Sequence, residues 1–196
     1  GDEQKDAHSI EYRVETGLQE TTGKNLIDLD EQTFNFTNST GDMGVAVGKP
    51  YPINVINWDT FLMSYDFSLT DISAIYTSAL NGWGGSCFGM SSVVVQNYYG
   101  QLDIGQYQKN LFQKASVLRD LKKPANDKAV QDLIGINQYV QVGTKFYNAK
   151  KKFSSAKKTD KEKIKYLIDL LKKVDQTRQA VLIGYEWFTN AVEYKN

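Results

Sequence analysis

Asn81-Gly82-Trp83-Gly84-Gly85-Ser86-Cys87-Phe88-Gly89-Met90-Ser91-Ser92-Val93-Val94-Val95-Gln96-Asn97-Tyr98-Tyr99 is the stretch on which the reading of this chain turns. Its first part is a glycine-rich loop. Its second part carries apolar residues at 87, 90, 94 and 98, and steps of three and four residues mark the buried face of a helix. Gly100 then offers a C-terminal stop. The β-branched run Val93-Val94-Val95 suits a strand equally well on local propensity alone.

The same stretch concentrates the chemistry. It puts a thiol, Cys87, at or near the first turn of a helix. Unpaired amides and the positive end of the helix dipole favour the thiolate there. Glycines before the thiol let a backbone approach a substrate closely. A nucleophile also needs donors for the oxyanion it creates. The Cys87 amide is one, and Asn81 is the available side-chain amide.

Asn81 to Ser91 resembles the active-site segment of papain-like cysteine peptidases, which reads Gln-Gly-x-Cys-Gly-Ser-Cys-Trp-x-Phe-Ser. By this resemblance Cys87 is the nucleophile, Asn81 stands in the place of the oxyanion-hole glutamine, and Trp83, Gly84 and Gly85 are substrate-binding positions. Gly85, Ser86 and Ser91 keep the family's residues, whereas Phe88 replaces Trp and Met90 replaces Phe. Gly84 replaces the family's disulfide-forming cysteine, in keeping with the single cysteine of the chain. The family's base histidine follows the cysteine by about 130–150 residues, farther than this sequence of 196 residues extends. The one histidine, His8, lies upstream and in the wrong order.

The resemblance therefore implies an α+β, papain-like fold, represented mainly by its helical half plus the first strands of its β half. Residues 76–196 would form that domain, incomplete at the C-terminus, and residues 1–75 an extended accessory or pro-like region. The implied function is a secreted, bacterial-type thiol protease, a hydrolase that cleaves peptide bonds through an acyl-enzyme on Cys87. The remainder of the same gene product would supply the histidine, so the chain alone is expected to be inactive. Its partners would be peptide or protein substrates, with no cofactor and no metal. An acyltransferase or amidase would carry the same segment. The alternative is a non-catalytic binding or adhesion module that keeps the fold, with Cys87 as a relic.

Composition narrows the field. Hydrophobic residues make up 41% and aromatics 12% of 196 residues, enough for a core and too many for a disordered chain. No apolar run approaches the roughly 20 residues of a membrane-spanning helix. The net charge is zero, but residues 1–100 hold 13 acidic and 4 basic side chains and residues 101–196 hold 10 and 19. The basic half has Lys far in excess of Arg, without the Arg–aromatic interleaving of a nucleic-acid surface, and reads as solvated helices. No carboxylate pair, metal-ligand cluster, phosphate loop or dinucleotide fingerprint is present. The sequence starts at Gly1, which reads as a form with its leader removed, secreted or at the cell surface.

Elsewhere the patterns are coarser. Residues 1–30 read as a polar, acidic lead-in. Short alternations between Thr33 and Trp58 read as extended chain broken by turns. Asn35-Phe36-Thr37 and Asn38-Ser39-Thr40 match glycosylation sequons but read as a plain turn. Helices are expected over 104–121 and 126–151, then a Lys/Ser loop over 150–163. Thr159 and Glu162 form a capping box before a helix with Ile164, Leu167, Ile168, Leu171 and Val174 on one face. The run 180–185 reads as a buried strand.

Overall fold

The computed structural model describes residues 7–12, 30–52, 68–156, 159–177 and 182–187. The described α-helices are α1 (Thr40–Met43), α2 (Leu69–Leu80), α3 (Cys87–Tyr98), α4 (Lys128–Tyr139), α5 (Thr144–Ala156) and α6 (Asp160–Thr177). Strands β1 (Ala7–Tyr12) and β2 (Leu182–Trp187) pair antiparallel, with Ala7 opposite Trp187 and Tyr12 opposite Leu182. Among the described residues this ribbon is the whole of the sheet structure, apart from one isolated bridge between Gln108 and Lys114.

This corrects the α+β, papain-like expectation: the described chain is a helical assembly with a single two-stranded ribbon. The local reasons are visible. Between Thr33 and Pro52 the apolar alternation is too short to outlast its turn residues. The Ser39 hydroxyl accepts from the Asp42 amide and starts the single turn of α1 instead. Ile53 and Val55, part of the same expectation, lie outside the described residues.

The helix expected over 104–121 is also replaced, by 3₁₀ turns at Ile104–Gln106 and Leu118–Asp120 with bends between. Asp103, Asn110 and Asp120 bond nearby backbone amides at Gly105, Phe112 and Ser116, offering the chain an alternative to the helical ladder. The helix expected over 126–151 divides into α4 and α5, with a 3₁₀ turn at Val140–Val142 and Gly143 between them.

The centre of the fold is the crossing of α3 and α4. A β-carbon on Gly89 would lie 2.3 Å from the Ile134 carbonyl oxygen, and one on Gly135 would lie 2.1 Å from Tyr51 Cε1. Glycine at 89 permits the approach of the two helices, and glycine at 135 lets Tyr51 seat against α4. Val93 from α3 and Val130 and Ile134 from α4 are fully buried there, together with Met43, Ile75, Leu118 and Leu121. Phe36, Met43, Val45 and Tyr51 belong to the same cluster, so residues 34–51 and 83–140 share one core. Tyr51 packs edge-on against Tyr139, and its hydroxyl donates to the Gln131 carbonyl at 2.7 Å. Burial pushes the Tyr51 phenol well above its ordinary range.

The crossing also has a polar side. Gln96 Nε2 donates to Asn137 Oδ1 at 2.5 Å and to Ser92 Oγ at 3.1 Å, and Asn137 returns to the Leu133 carbonyl at 2.9 Å. Asp71 joins two other helices: it completes a capping box with Ser68 at the start of α2 and accepts from the Thr144 amide at 2.6 Å at the start of α5. Burial works against its charge, but the bonds from Thr144 and Ser68 prevail and hold the carboxyl far below the usual carboxylate range.

The capping box of α6 forms as the spacing predicts, with Thr159 and Glu162 bonded reciprocally. Its apolar face is another matter. Ile164, Ile168 and Leu171 are exposed, and the buried residue is Leu170. The strand expected over 180–185 corresponds to β2, which runs against α3.

Two predictions follow from the packing and from the charged caps. Gly89→Ala should destabilise the chain by about 2–3 kcal/mol, because the added methyl meets backbone rather than a movable side chain. Urea unfolding measures this, and an unchanged midpoint would refute the close crossing. Asp42 is held at about 2 by Lys123, and then by the Thr37 amide and hydroxyl. Asp120 is held at about 2 by Lys109 and then by Ser116. Both lie below the ordinary 3.8, so their stabilisation is complete above 3.8 and is lost as pH falls toward about 2. Asp42→Asn combined with Asp120→Asn should flatten the fall in urea midpoint across that window; a parallel fall would show that other groups govern it.

Candidate functional site

Cys87 opens α3, and its side chain is exposed. The loop before it is fixed from three directions. Trp83 exchanges backbone bonds with residues 48 and 49: its amide donates to the Lys49 carbonyl at 2.7 Å, and its carbonyl accepts from Gly48 at 2.8 Å. Its indole N–H donates to Ser86 Oγ at 2.8 Å, and both residues are buried. The Ser86 amide donates to Asn38 Oδ1 at 2.8 Å. Gly82 (φ 116°) and Gly85 (φ 134°) take up conformations that side chains disfavour, which is how the six residues 81–86 turn from the end of α2 to the start of α3.

The amides at the start of α3 are unequally used. Gly89 N–H donates to Gln138 Oε1 at 2.9 Å, and Met90 N–H to the Ser86 carbonyl at 2.9 Å. The Cys87 amide donates to no acceptor among the described residues. An exposed thiol and an unpaired amide thus belong to one residue, in the first turn of a 12-residue helix. Sulfur attack on a carbonyl at this place would leave the developing oxyanion beside that amide.

The residues singled out from the sequence divide. Asn81 is the C-cap of α2, and its amide bonds to the Thr77 carbonyl. Its carboxamide is exposed, with no hydrogen bond to Cys87 or to any other described residue. Trp83 is core, 3% exposed, and wedged beneath the loop rather than lining it. Gly84 is exposed, with open space where a side chain would stand. Gly85 is half-buried, and its missing β-carbon would come within 3.2 Å of Asn38 Nδ2. His8 lies in β1, paired in register with Glu186.

Asn38 and Gln138 were not legible as parts of this site. Each reaches it from far along the chain, Asn38 to Ser86 and Gln138 to Gly89. A local motif carries no trace of such partners. Asn38 had one signal, as the first residue of a sequon, and it pointed elsewhere. Its carboxamide instead occupies the turn beside the glycine loop, and the neighbouring Ser39 caps α1.

No family model, curated protein or solved structure matches this chain.

Loss of the Asn38 carboxamide leaves the buried Ser86 amide without its acceptor, at a cost of about 1–3 kcal/mol. Asn38→Ala should therefore lower the urea midpoint, and Asn38→Asp, which keeps an acceptor oxygen, should recover most of the loss. Equal stability of the alanine variant and the parent would show that the loop does not depend on this bond.

Proposed function

We propose that Cys87 is the nucleophile of a cysteine-peptidase-type acyl-transfer site, completed by an imidazole from outside residues 1–196. The observation that carries this reading is the coincidence, on one residue, of an exposed thiol and an unpaired amide in the first turn of α3. The resemblance of residues 81–91 to the papain-like active-site segment supports it from the sequence side.

In this mechanism the Cys87 thiolate attacks the carbonyl carbon of a peptide bond and a C–S bond forms. The oxyanion is held by the Cys87 amide, with the exposed Asn81 carboxamide as the side-chain donor. Collapse breaks the C–N bond, and the leaving amine takes its proton from the imidazolium. Water then attacks the thioester, releasing the acid and returning the proton to the sulfur. Gly84, with open space where a side chain would stand, leaves room for an extended substrate backbone, whereas Gly85 serves the turn and packs near Asn38. Trp83 serves by packing, fixing Ser86 and with it the start of the helix.

Without the imidazole, the first half-reaction with an activated ester remains accessible and turnover does not. The chain treated with p-nitrophenyl acetate should acetylate on Cys87 at least about tenfold faster than a synthetic peptide of residues 81–91, the fold supplying one oriented oxyanion donor. Peptide substrates should not be turned over. Mass spectrometry locates the adduct, and Cys87→Ser should abolish it. Equal rates for chain and peptide would reduce Cys87 to an ordinary surface thiol and leave the non-catalytic binding module as the reading. Peptide hydrolysis by residues 1–196 alone would overturn the need for an outside imidazole.

A further inference from the structure

The segment between the 3₁₀ turns Ile104–Gln106 and Leu118–Asp120 folds into a small hairpin closed by the Gln108–Lys114 bridge. Its root is anchored: Tyr107 and Ala115 are buried in the core, and the Ala115 amide donates to the Tyr107 carbonyl at 3.0 Å. Its apex is tied. Lys109 N–H donates to the Gln113 carbonyl at 2.9 Å, Asn110 Nδ2 to Gln113 Oε1 at 2.7 Å, and Phe112 N–H to Asn110 Oδ1 at 2.9 Å. On this fixed frame Leu111 is 88% and Phe112 94% exposed, the most exposed large apolar side chains described.

We propose that this apex is a membrane-surface anchor that inserts Leu111 and Phe112 into the headgroup–acyl boundary of a bilayer bearing anionic lipid. Charge complementarity decides for lipid. Lys109 and Lys114 stand on either side of the apolar pair. Lys109 is ion-paired with Asp120 at 2.7 Å, whereas Lys114 donates to the uncharged Gln106 carbonyl and keeps its charge beside the apex. The wider half to which the hairpin belongs, residues 101–196, carries 19 basic against 10 acidic side chains. A polar, hydrogen-bonded frame ending in two apolar side chains and ringed by lysine matches the layering of an anionic interface. A protein interface of ordinary size needs about 800 Å² from each partner, and two side chains at an apex present far less. No described helix is long and apolar enough to cross a membrane. The anchor is independent of the chemistry at Cys87.

Co-sedimentation of the chain with vesicles of about one-third phosphatidylglycerol and two-thirds phosphatidylcholine tests this. The parent chain should partition measurably at about 1 mM lipid, and raised salt should weaken the binding. Leu111→Ser combined with Phe112→Ser should cut partitioning at least about tenfold, and Lys114→Gln several-fold. Both apical side chains are exposed, so an unchanged urea midpoint confirms that the double variant keeps its fold. A parent chain that stays in the supernatant, or a double variant that sediments as the parent does, would overturn the anchor. So would an apex that seats in a protein pocket while vesicles leave it untouched.

Discussion

The close passage of α3 over α4 is the constraint from which the other features of this molecule descend. A missing side chain allows it: Gly89 admits the Ile134 carbonyl, while Gly135 lets the ring of Tyr51 seat against α4. Once the helices lie this near, their polar residues must pair across the gap, and Ser92, Gln96, Asn137 and Gln138 do so. A buried amide or hydroxyl without a partner would cost more than the packing returns. The crossing therefore specifies a register along the helices as well as a distance between them.

That register delivers Cys87 to its position. Gln138 on α4 reaches the Gly89 amide, so the first turn of α3 is held from below. Asn38 and Trp83 hold it from the loop side, through Ser86. The amide of the residue carrying the thiol has no acceptor among the described residues. Substrate-facing donors must be unpaired in the resting fold if they are to be preorganised for a developing charge, and a loosely held loop would not keep one in place. The stability of the crossing and the availability of the Cys87 amide are thus two consequences of one arrangement.

Much of this was readable in the residues, and the limits of reading have physical causes. The apolar steps at 87, 90, 94 and 98 located α3 despite its valines, because a repeat over three turns outweighs local β propensity. They misplaced its buried face, which is Phe88, Gly89, Ser92, Val93 and Tyr98, while Cys87 is exposed. The capping box at Thr159 located the start of α6, since its signal is local and complete. The region 104–121 misled, because Asp103, Asn110 and Asp120 bend the backbone through their side chains while apolar spacing suggests a helix. The expectation of an α+β architecture came from eleven residues of resemblance, and so short a segment does not determine how the elements around it assemble. At the site, Cys87 and its loop were visible, whereas Asn38 and Gln138 were not, because their contacts span 48 and 49 residues of sequence.

Amide hydrogen exchange, resolved residue by residue, tests the central relation between the crossing and the proposed nucleophile most directly. The Ser86 and Gly89 amides, bonded to Asn38 and Gln138, should be protected together and exchange through a shared opening. The Cys87 amide between them should exchange at least about a hundredfold faster. Protection of the Cys87 amide equal to that of Gly89 would mean it already has an acceptor, and the account of a preorganised site at the head of α3 would be wrong.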